Sequence, residues 1–466
     1  MMFNTDKLGW EELVAGISGR VTQGDLGVKA TGISTDTRTL KNGDLFVALK
    51  GPKFDGHHYV RLAFDKGASA VLVSDPVDPG RQWPGKVIIQ VLDTLTALGD
   101  LSSLWRKKFP VTLIGISGSN GKTTTKEMLA AILELEGPTL KNPGNLNNWI
   151  GLPLSLFSLN EDHRFAVMEM GMNHLGEISR LCRIARPEVG LLTNIGPAHL
   201  EGLGSLSAVA KAKGELFEAL EPHHWAMINY DDFRIRDLSR SCRARKMTFG
   251  QDPEATVRAD RLSLTPQGIR FRILFQGEQE ELSLPIQGEH NTSNALGAAA
   301  TALSLGLSLQ KVREGLKDFK LPEHRLELKK GLKGIQLIDD TYNANPASLK
   351  AALSAFESFR QGKRGGLVLG DMLELGPQAL EAHQEMGKMI GEMGVDYLLT
   401  LGPLSREMVT VAHKGLRPPK KAFWAQSHQE VIDQLHQIIQ EGDIVLVKGS
   451  HGMNLEAVVR ALEDQG

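Results

Sequence analysis

Short apolar runs alternate with amphipathic stretches along almost the whole chain, and that alternation predicts an α/β protein. In the first hundred residues "GDLFVALKG", "ASAVLVS" and "KVIIQV" read as strands and "HHYVRLAFDKG" as a helix. "TLTALGDLSSLWRKKF" has helical spacing and stops at Pro110, which places a first boundary and defines a unit of residues 1–109. From "VTLIGIS" onward, strand and helix patterns follow each other through "RFAVMEMG", "GEISRLCRIA", "EVGLLTNIG", "SLSAVAKAKGELFEAL" and "HWAMINY". This order predicts a parallel sheet flanked by helices. "ADRLSLTPQGIRFRILFQGEQEELSLPI" changes to two-residue alternation and predicts an antiparallel patch, and helices through "NTSNALGAAATALSLG" and residues 309–319 close a second unit, 110–321. After Pro322, "GIQLIDD", "GGLVLGD", "DYLLTLG", "KAFWAQ" and "DIVLVKGS" are strand candidates, each followed by a helical stretch. Residues 322–466 therefore read as a doubly wound α/β unit.

One stretch carries chemistry on its face: "LIGISGSNGKTTTKEMLAAIL", Leu113 to Leu133. The usual phosphate loop has a glycine five positions before the glycine that precedes lysine. Here that position is Ile116, and the glycines are Gly115 and Gly118. The surroundings are nevertheless those of a phosphate site, with a buried-type strand before the loop and an amphipathic helix after it. Backbone N–H groups at such a turn converge on phosphate oxygens. Gly118 and Gly121 can take the conformations the turn needs, Lys122 offers a cation, and Thr123 offers a hydroxyl for Mg²⁺. The loop is read as a binder of ATP or GTP.

Composition narrows the picture further. The 466 residues are 41% hydrophobic, with a net charge of −2 and no basic stripe, which argues against a nucleic-acid partner. The run "KKGLK", Lys329 to Lys333, is read as a solvated turn. Two cysteines, Cys182 and Cys242, exclude a disulfide framework and suit a reducing compartment; both are read as half-buried small hydrophobes. The charged opening "MMFNTDKLGWEEL" lacks the apolar core of a signal peptide, and no apolar run approaches the ~18–20 residues of a membrane span. A cytoplasmic monomer is expected. The adjacent histidines His57–His58 and His223–His224 are read as surface pairs, without zinc spacing.

The variant loop "GSNGKTT" stands in a series of further stretches: "STDTRTLKNGDLFVALKGPKFDGHHY", "GNLNNWIGLP", "EMGMNHLGEI", "PAHLEGLGSLSAVAKAKGELF", "GEHNTSNALGAA" and "DDTYNANPASLKAAL". Together they resemble the Mur ligase family of amide-forming enzymes across all three units. The resemblance implies a small α/β UDP-binding domain, a central domain with a P-loop ATPase-like parallel sheet, and a C-terminal Rossmann-like domain. Within the family, "FVALKG…FDGH", "GNLNN" and "YNANP" imply UDP-N-acetylmuramoyl-tripeptide and D-alanyl-D-alanine as substrates, hence the last cytoplasmic step of pentapeptide-precursor synthesis for peptidoglycan.

The resemblance also implies roles for individual residues. Gly118, Ser119, Asn120, Gly121, Lys122, Thr123 and Thr124 would hold the ATP phosphates. Thr123, Glu169 and His199 would bind Mg²⁺, with two ions expected. Lys213, fourteen residues after His199, would carry a carbamate, turning a cation into an anionic oxygen ligand. Position alone would make Glu169 a solvated carboxylate, His199 a satisfied polar residue and Lys213 a solvated helix lysine. Asn291 and Asn294 fall on the adenine side, where helix capping is a rival role for Asn291. Arg325 and Asp340 would reach ATP when the last domain closes, the arginine on phosphate oxygens and the aspartate on the ribose. In "PEHRLE" His324 stands where the family's commoner string has glycine. Thr35, Asp36, Thr37, Arg38, Lys50, Gly51, Phe54 and Asp55 would hold the UDP end of the precursor, and Asn145, Asn147 and Asn148 its muramoyl-peptide. Tyr342, Asn343 and Asn345 would face the dipeptide. A sibling ligase that adds a single amino acid, a polyglutamate ligase and a nucleotide-dependent switch are the alternatives.

Overall fold

The computed structural model describes residues 3–77, 83–265 and 267–464. Three sheets follow one another along the chain. The first has the strand order Arg20–Gln23, Val87–Gln90, Ala70–Val73, Asp44–Val47, Gly32–Ser34, and all neighbours are parallel except Arg20–Gln23. Asp44–Val47 and Ala70–Val73 are buried at every position, the pattern of strands covered on both faces. The two outer strands, "RVTQ" and "GIS", carry one apolar residue each and no apolar run, which is why the apolar pattern did not predict them.

The central sheet has nine strands in the order Glu278–Leu284, Gly268–Phe275, Val257–Thr265, Arg245–Gly250, Trp225–Asn229, Val189–Leu192, Thr112–Ser117, Phe165–Glu169, Thr139–Lys141. From Val257–Thr265 to Thr139–Lys141 every neighbouring pair is parallel, and the first three strands in the order are antiparallel, as the alternating stretch predicts. Gln276 and Gly277, at φ +50° and +86°, form the two-residue turn of the last hairpin. Met128, Leu129, Ile132 and Leu133 of helix Lys122–Leu133 are completely buried. Burial of each such side chain stabilises by about 1.5–3 kcal/mol, so the helix is anchored well behind its N-terminus.

The third sheet runs Glu327–Lys330, Gln336–Asp340, Ile444–Lys448, Gly365–Gly370, Tyr397–Leu401, Lys421–Ala425, with only the first strand antiparallel. Lys329 and Lys330 therefore belong to an edge strand, which corrects their reading as a turn. The cause is tertiary: Lys329 reaches Asp339 on the neighbouring strand at 3.2 Å, a pairing that local sequence cannot display. Asn345 caps helix Pro346–Arg360 in a reciprocal capping box with Ser348, and Pro346 occupies the first turn.

The junctions between sheets differ in kind. One apolar core extends from Phe3 through Trp105 and Phe157 to Ala244, so helix Thr94–Arg106 binds the first sheet to the central one. Trp105 meets Phe3 and Phe109 at ring-centroid distances of 5.4 and 5.1 Å. The buried Arg106 guanidinium donates to the carbonyls of Ala185, Phe109 and Val111, which satisfies the chain where it passes between the two units. Between the central and third units, Leu321 is the one apolar residue packed against a core on each side among the described residues. The remaining contacts of that junction described below are polar. No described helix is long and apolar enough to cross a membrane.

Candidate active site

In an open parallel sheet, ligands bind beyond the carboxyl ends of the strands. The strands ending at Ser117, Glu169 and Leu192 in the central sheet, and at Asp340 and Lys448 in the third, all send their following residues to one cleft of about 710 Å³. Ser119 to Thr124 form one wall of it. Gly118 lies beneath them at φ +145°, and Gly121 at φ +79° precedes helix Lys122–Leu133. A Cβ at Gly121 would overlap Asn294 Oδ1, so this turn needs glycine for space as well as for backbone freedom. The loop is braced from behind. Asn120 donates its N–H to Asn194 Oδ1 at 3.0 Å, and Ser119 Oγ donates to the Gly196 carbonyl at 2.9 Å. Lys122 Nζ donates to the Gly118 carbonyl at 2.9 Å, which curls the side chain over its own loop.

Thr123 Oγ1 donates to Glu169 Oε2 at 2.8 Å, and Asn147 Nδ2 donates to the other oxygen, Oε1, at 2.8 Å. Glu169 is only 2% exposed, so the solvated alternative does not hold. Its backbone is fixed too, because Asn142 accepts the Glu169 N–H and donates to the Glu169 carbonyl. Lys213 is 1% exposed and donates to the Gly118 carbonyl at 3.0 Å. It is no solvated helix lysine. Burial pushes the Lys213 ammonium well below its ordinary range, and the neighbouring Lys122 charge pushes the same way. Burial also lowers Lys122 and His199. His199 has φ +56°, and its Nδ1 lies 2.8 Å from Glu374 Oε2 of the third unit, close but without hydrogen-bond alignment.

The third unit supplies the opposite wall. Arg325 Nη2 donates to Thr123 Oγ1 at 2.8 Å, and its guanidinium stacks over the Tyr342 ring at 4.0 Å. Its Nε is buried without a partner among the described residues. Asn345 Nδ2 donates to Asn120 Oδ1 at 2.7 Å. Asp340 pairs with Lys448 at 2.5 Å, and Lys448 also donates to the Asn343 carbonyl. His324 takes φ +61°, a conformation that suits the glycine commoner there. Asn291, Asn294, Asn145 and Asn148 line the same cleft. Asn291 does not cap its helix; it donates back to the Gln287 carbonyl and accepts from Asn294.

Thr35, Asp36, Thr37, Arg38, Lys50, Gly51, Phe54 and Asp55 are not part of this cleft and gather beyond the strand ends of the first sheet. Arg38 holds the Asp36 carboxyl down to about 2 through a forked pair of hydrogen bonds. Asp55 is lowered to about 2 by the backbone and ring of His57. His57 is therefore a structural residue: Nδ1 faces Asp55 at 2.6 Å and Nε2 accepts the Ser74 N–H, which corrects its reading as a surface histidine. The two cysteines are more deeply buried than expected, and burial pushes the Cys182 thiol up to about 12.

Sequence reasoning missed Asn142, Asn194, Glu374 and Lys448. Lys448 left a usable signal, a lysine closing the apolar run "DIVLV" at a strand end. Asn142 left none, because its role depends on where strand Phe165–Glu169 passes.

Three family models match successive parts of the chain: Mur ligase family, catalytic domain, over residues 29–106; Mur ligase middle domain over 116–302; and Mur ligase, glutamate ligase domain over 324–451. The chain is 37% identical to UDP-N-acetylmuramoyl-tripeptide–D-alanyl-D-alanine ligase of Escherichia coli, covering 97% of each. A crystal structure of MurF from Acinetobacter baumannii superposes with a TM-score of 0.86 at 32% identity, again covering 97% of each chain. MurF ligase of Thermotoga maritima in complex with ADP superposes with a TM-score of 0.80 at 26% identity, covering 92% of this chain and 96% of that one.

Proposed function

The chain belongs to the Mur ligase family, and from that premise we propose that it joins D-alanyl-D-alanine to UDP-N-acetylmuramoyl-tripeptide with consumption of ATP. The observation that carries the reading is the meeting of Lys122 and Thr123 with Arg325 and Asp340 in one cleft, in a chain similar to such ligases over almost its full length. In this reading residues 1–109 hold the UDP end of the precursor, 110–321 hold ATP, and 322–466 bring the dipeptide. The reaction takes place in the cytoplasm, which suits two unpaired, buried thiols.

A carboxylate repels nucleophiles and has no leaving group, so it must first be activated. The tripeptide's terminal carboxylate attacks the γ-phosphorus of ATP, ADP leaves, and an acyl phosphate forms. The dipeptide's amine then attacks the acyl carbon, inorganic phosphate leaves, and the nitrogen gives up its proton. Positioning and charge neutralisation dominate such transfers. Lys122 and Arg325 come from opposite walls of the cleft and would both bring positive charge to the phosphates. Asn147 orients Glu169, and Asn120 is held between Asn194 and Asn345.

The donor set fits Mg²⁺. Thr123 Oγ1 and Glu169 Oε2 are hard oxygens 2.8 Å apart beside the loop, and a divalent ion there would neutralise phosphate charge when bound. His199 and Lys213 would complete the ligands. As an ammonium, Lys213 would repel a cation; as the carbamate, formed when its neutral amine adds to CO₂ and the nitrogen gives up one proton, it would supply an anionic oxygen. Its burial against the Gly118 carbonyl, with one acceptor for its donors, supports that assignment.

Phosphate release that requires both precursor and dipeptide, with the amide product identified by mass, tests the reading. Release with a free amino acid instead of the dipeptide would indicate a sibling ligase. Release without any acceptor, and without amide product, would indicate a nucleotide switch.

A further inference from the structure

Four carboxylates line the cleft among the described residues: Glu169, Glu177, Asp340 and Glu374. Three of them are engaged by neighbours. Glu169 accepts from Thr123 and Asn147, Asp340 is paired with Lys448, and Glu177 accepts the Asn173 N–H at 2.7 Å. Glu374 has no lysine or arginine within salt-bridge distance among the described residues. Its side chain is 55% exposed, and its one ionic neighbour is His199.

The backbone aims Glu374 at that place. It follows strand Gly365–Gly370 in a segment pinned from three sides. Met372 donates its N–H to His383 Nε2 at 3.0 Å, Leu373 donates to Ser450 Oγ at 2.8 Å, and Asp371 accepts the Ser405 N–H at 2.6 Å. Glu374 itself has φ +63°, facing His199 at φ +56°. Its carbonyl accepts the Glu201 N–H from the central unit at 3.2 Å. Two non-glycine residues in left-handed backbone thus meet across the junction of two units. Such conformations persist where the surroundings over-determine them, and they cluster at functional sites.

We propose that Glu374 is the acceptor-amine site, its carboxylate binding the ammonium of the incoming dipeptide beside His199. This inference rests on the ligase reading of the cleft. ATP and the precursor's carboxylate are anionic and meet Lys122 and Arg325. The acceptor is the substrate that brings a cationic group, and Glu374 is the one cleft carboxylate whose side chain has neither a lysine or arginine partner nor a hydrogen-bond donor among the described residues. A charge-assisted contact of this kind is both strong and directional. Because Glu374 and His199 come from different units, the site is complete only when the two units are together. It selects acceptors that carry an amine at this position and disfavours isosteres without one.

The test uses the full chain and its Glu374→Gln and Glu374→Asp variants, with D-alanyl-D-alanine and its desamino analogue propanoyl-D-alanine. In Glu374→Gln the KM for the dipeptide should rise about 10- to 100-fold, the value of a lost hydrogen bond to a charged group. The KM values for ATP and precursor should not change, inhibition by propanoyl-D-alanine should not change, and Glu374→Asp should recover part of the loss. Calorimetric titration of both ligands onto the complex with precursor and a non-hydrolysable ATP analogue reads the same contrast without turnover. An unchanged dipeptide KM, equal weakening of dipeptide and analogue, or a rise in all three KM values would overturn the inference. A wild-type chain that makes no amide from D-alanyl-D-alanine would instead bring down the ligase reading on which it stands.

Discussion

Arg325 donates to the Thr123 hydroxyl at 2.8 Å, although 202 residues separate the two in the chain. The contact joins the third unit to the first turn of the phosphate-loop helix, so in the proposed reading one side chain would serve both closure and phosphate recognition. Arg325→Ala should therefore leave precursor binding intact while turnover falls by at least about 10²-fold. Small-angle scattering should show compaction on ligand addition in the wild type and less in the variant. Equal compaction in both would separate Arg325 from closure.

Lys122 offers a test within a single unit. Its ammonium curls over the loop onto the Gly118 carbonyl, which phosphate oxygens would replace in the proposed reading. Lys122→Ala should lower turnover by about 10²–10³-fold, the usual cost of removing a preorganised donor from developing charge. Near-normal turnover would make the loop a structural turn.

The Lys213 assignment is a statement about charge. If a carbamate is needed, Lys213→Arg should be as damaging as Lys213→Ala, since arginine restores the unwanted cation. Short carboxylic acids should partly rescue the alanine variant by placing an oxygen anion in the vacated space, and should leave the arginine variant inactive. An active arginine variant would return Lys213 to the role of a buried strut under Gly118.

Lys448 is 3% exposed and pairs with Asp340 at 2.5 Å. Removal of one partner leaves a buried charge uncompensated, which typically costs about 3–5 kcal/mol. Lys448→Met should show a loss of that size in urea unfolding, and adding Asp340→Asn should recover part of it. If the double variant is no more stable than Lys448→Met, the ion pair is not the source of the loss.

His383 gives the pH dependence a definite sign. It is completely buried; its Nδ1 faces the Ala379 carbonyl at 2.6 Å, and its Nε2 accepts the Met372 N–H. Burial lowers the ring below its ordinary value of 6.5, so on acidification the unfolded chain takes up the proton first. Stability from this group is complete above pH 6.5 and is lost as pH falls through the lower native value. Urea midpoints measured down to about pH 5 should fall more steeply in the wild type than in His383→Gln. Parallel slopes would show that the ring takes up its proton at the same pH in the native and unfolded chains.

The strand and helix candidates of the parallel layers were legible because their causes are local. An apolar run bounded by glycine or proline is what a strand covered on both faces requires, and "VTLIGIS", "RFAVMEMG" and "DIVLVKGS" all contain strands. The edge strands Arg20–Gln23 and Glu327–Lys330 were not legible, because they owe their conformation to a neighbour's hydrogen bonds and carry little apolar signal of their own. His57 failed for the same reason. Its partners Asp55 and Ser74 come together only once the first sheet has formed.

By itself, the sequence determined the α/β order of the elements and the turn at Gly118 to Thr123, since periodicity, glycine freedom and helix termini act over a few residues. Its motifs also pointed to the family. Tertiary structure alone decided that Lys213 lies under Gly118, 95 residues away, that Lys448 reaches Asp340 across 108, and that Glu374 faces His199 across two units. The physical reason is that such pairings depend on how separate sheets pack, and only packing strips water from a lysine or sets a carboxylate oxygen against an imidazole. A residue's type and spacing state what it can do; its burial and partners state what it is left to do.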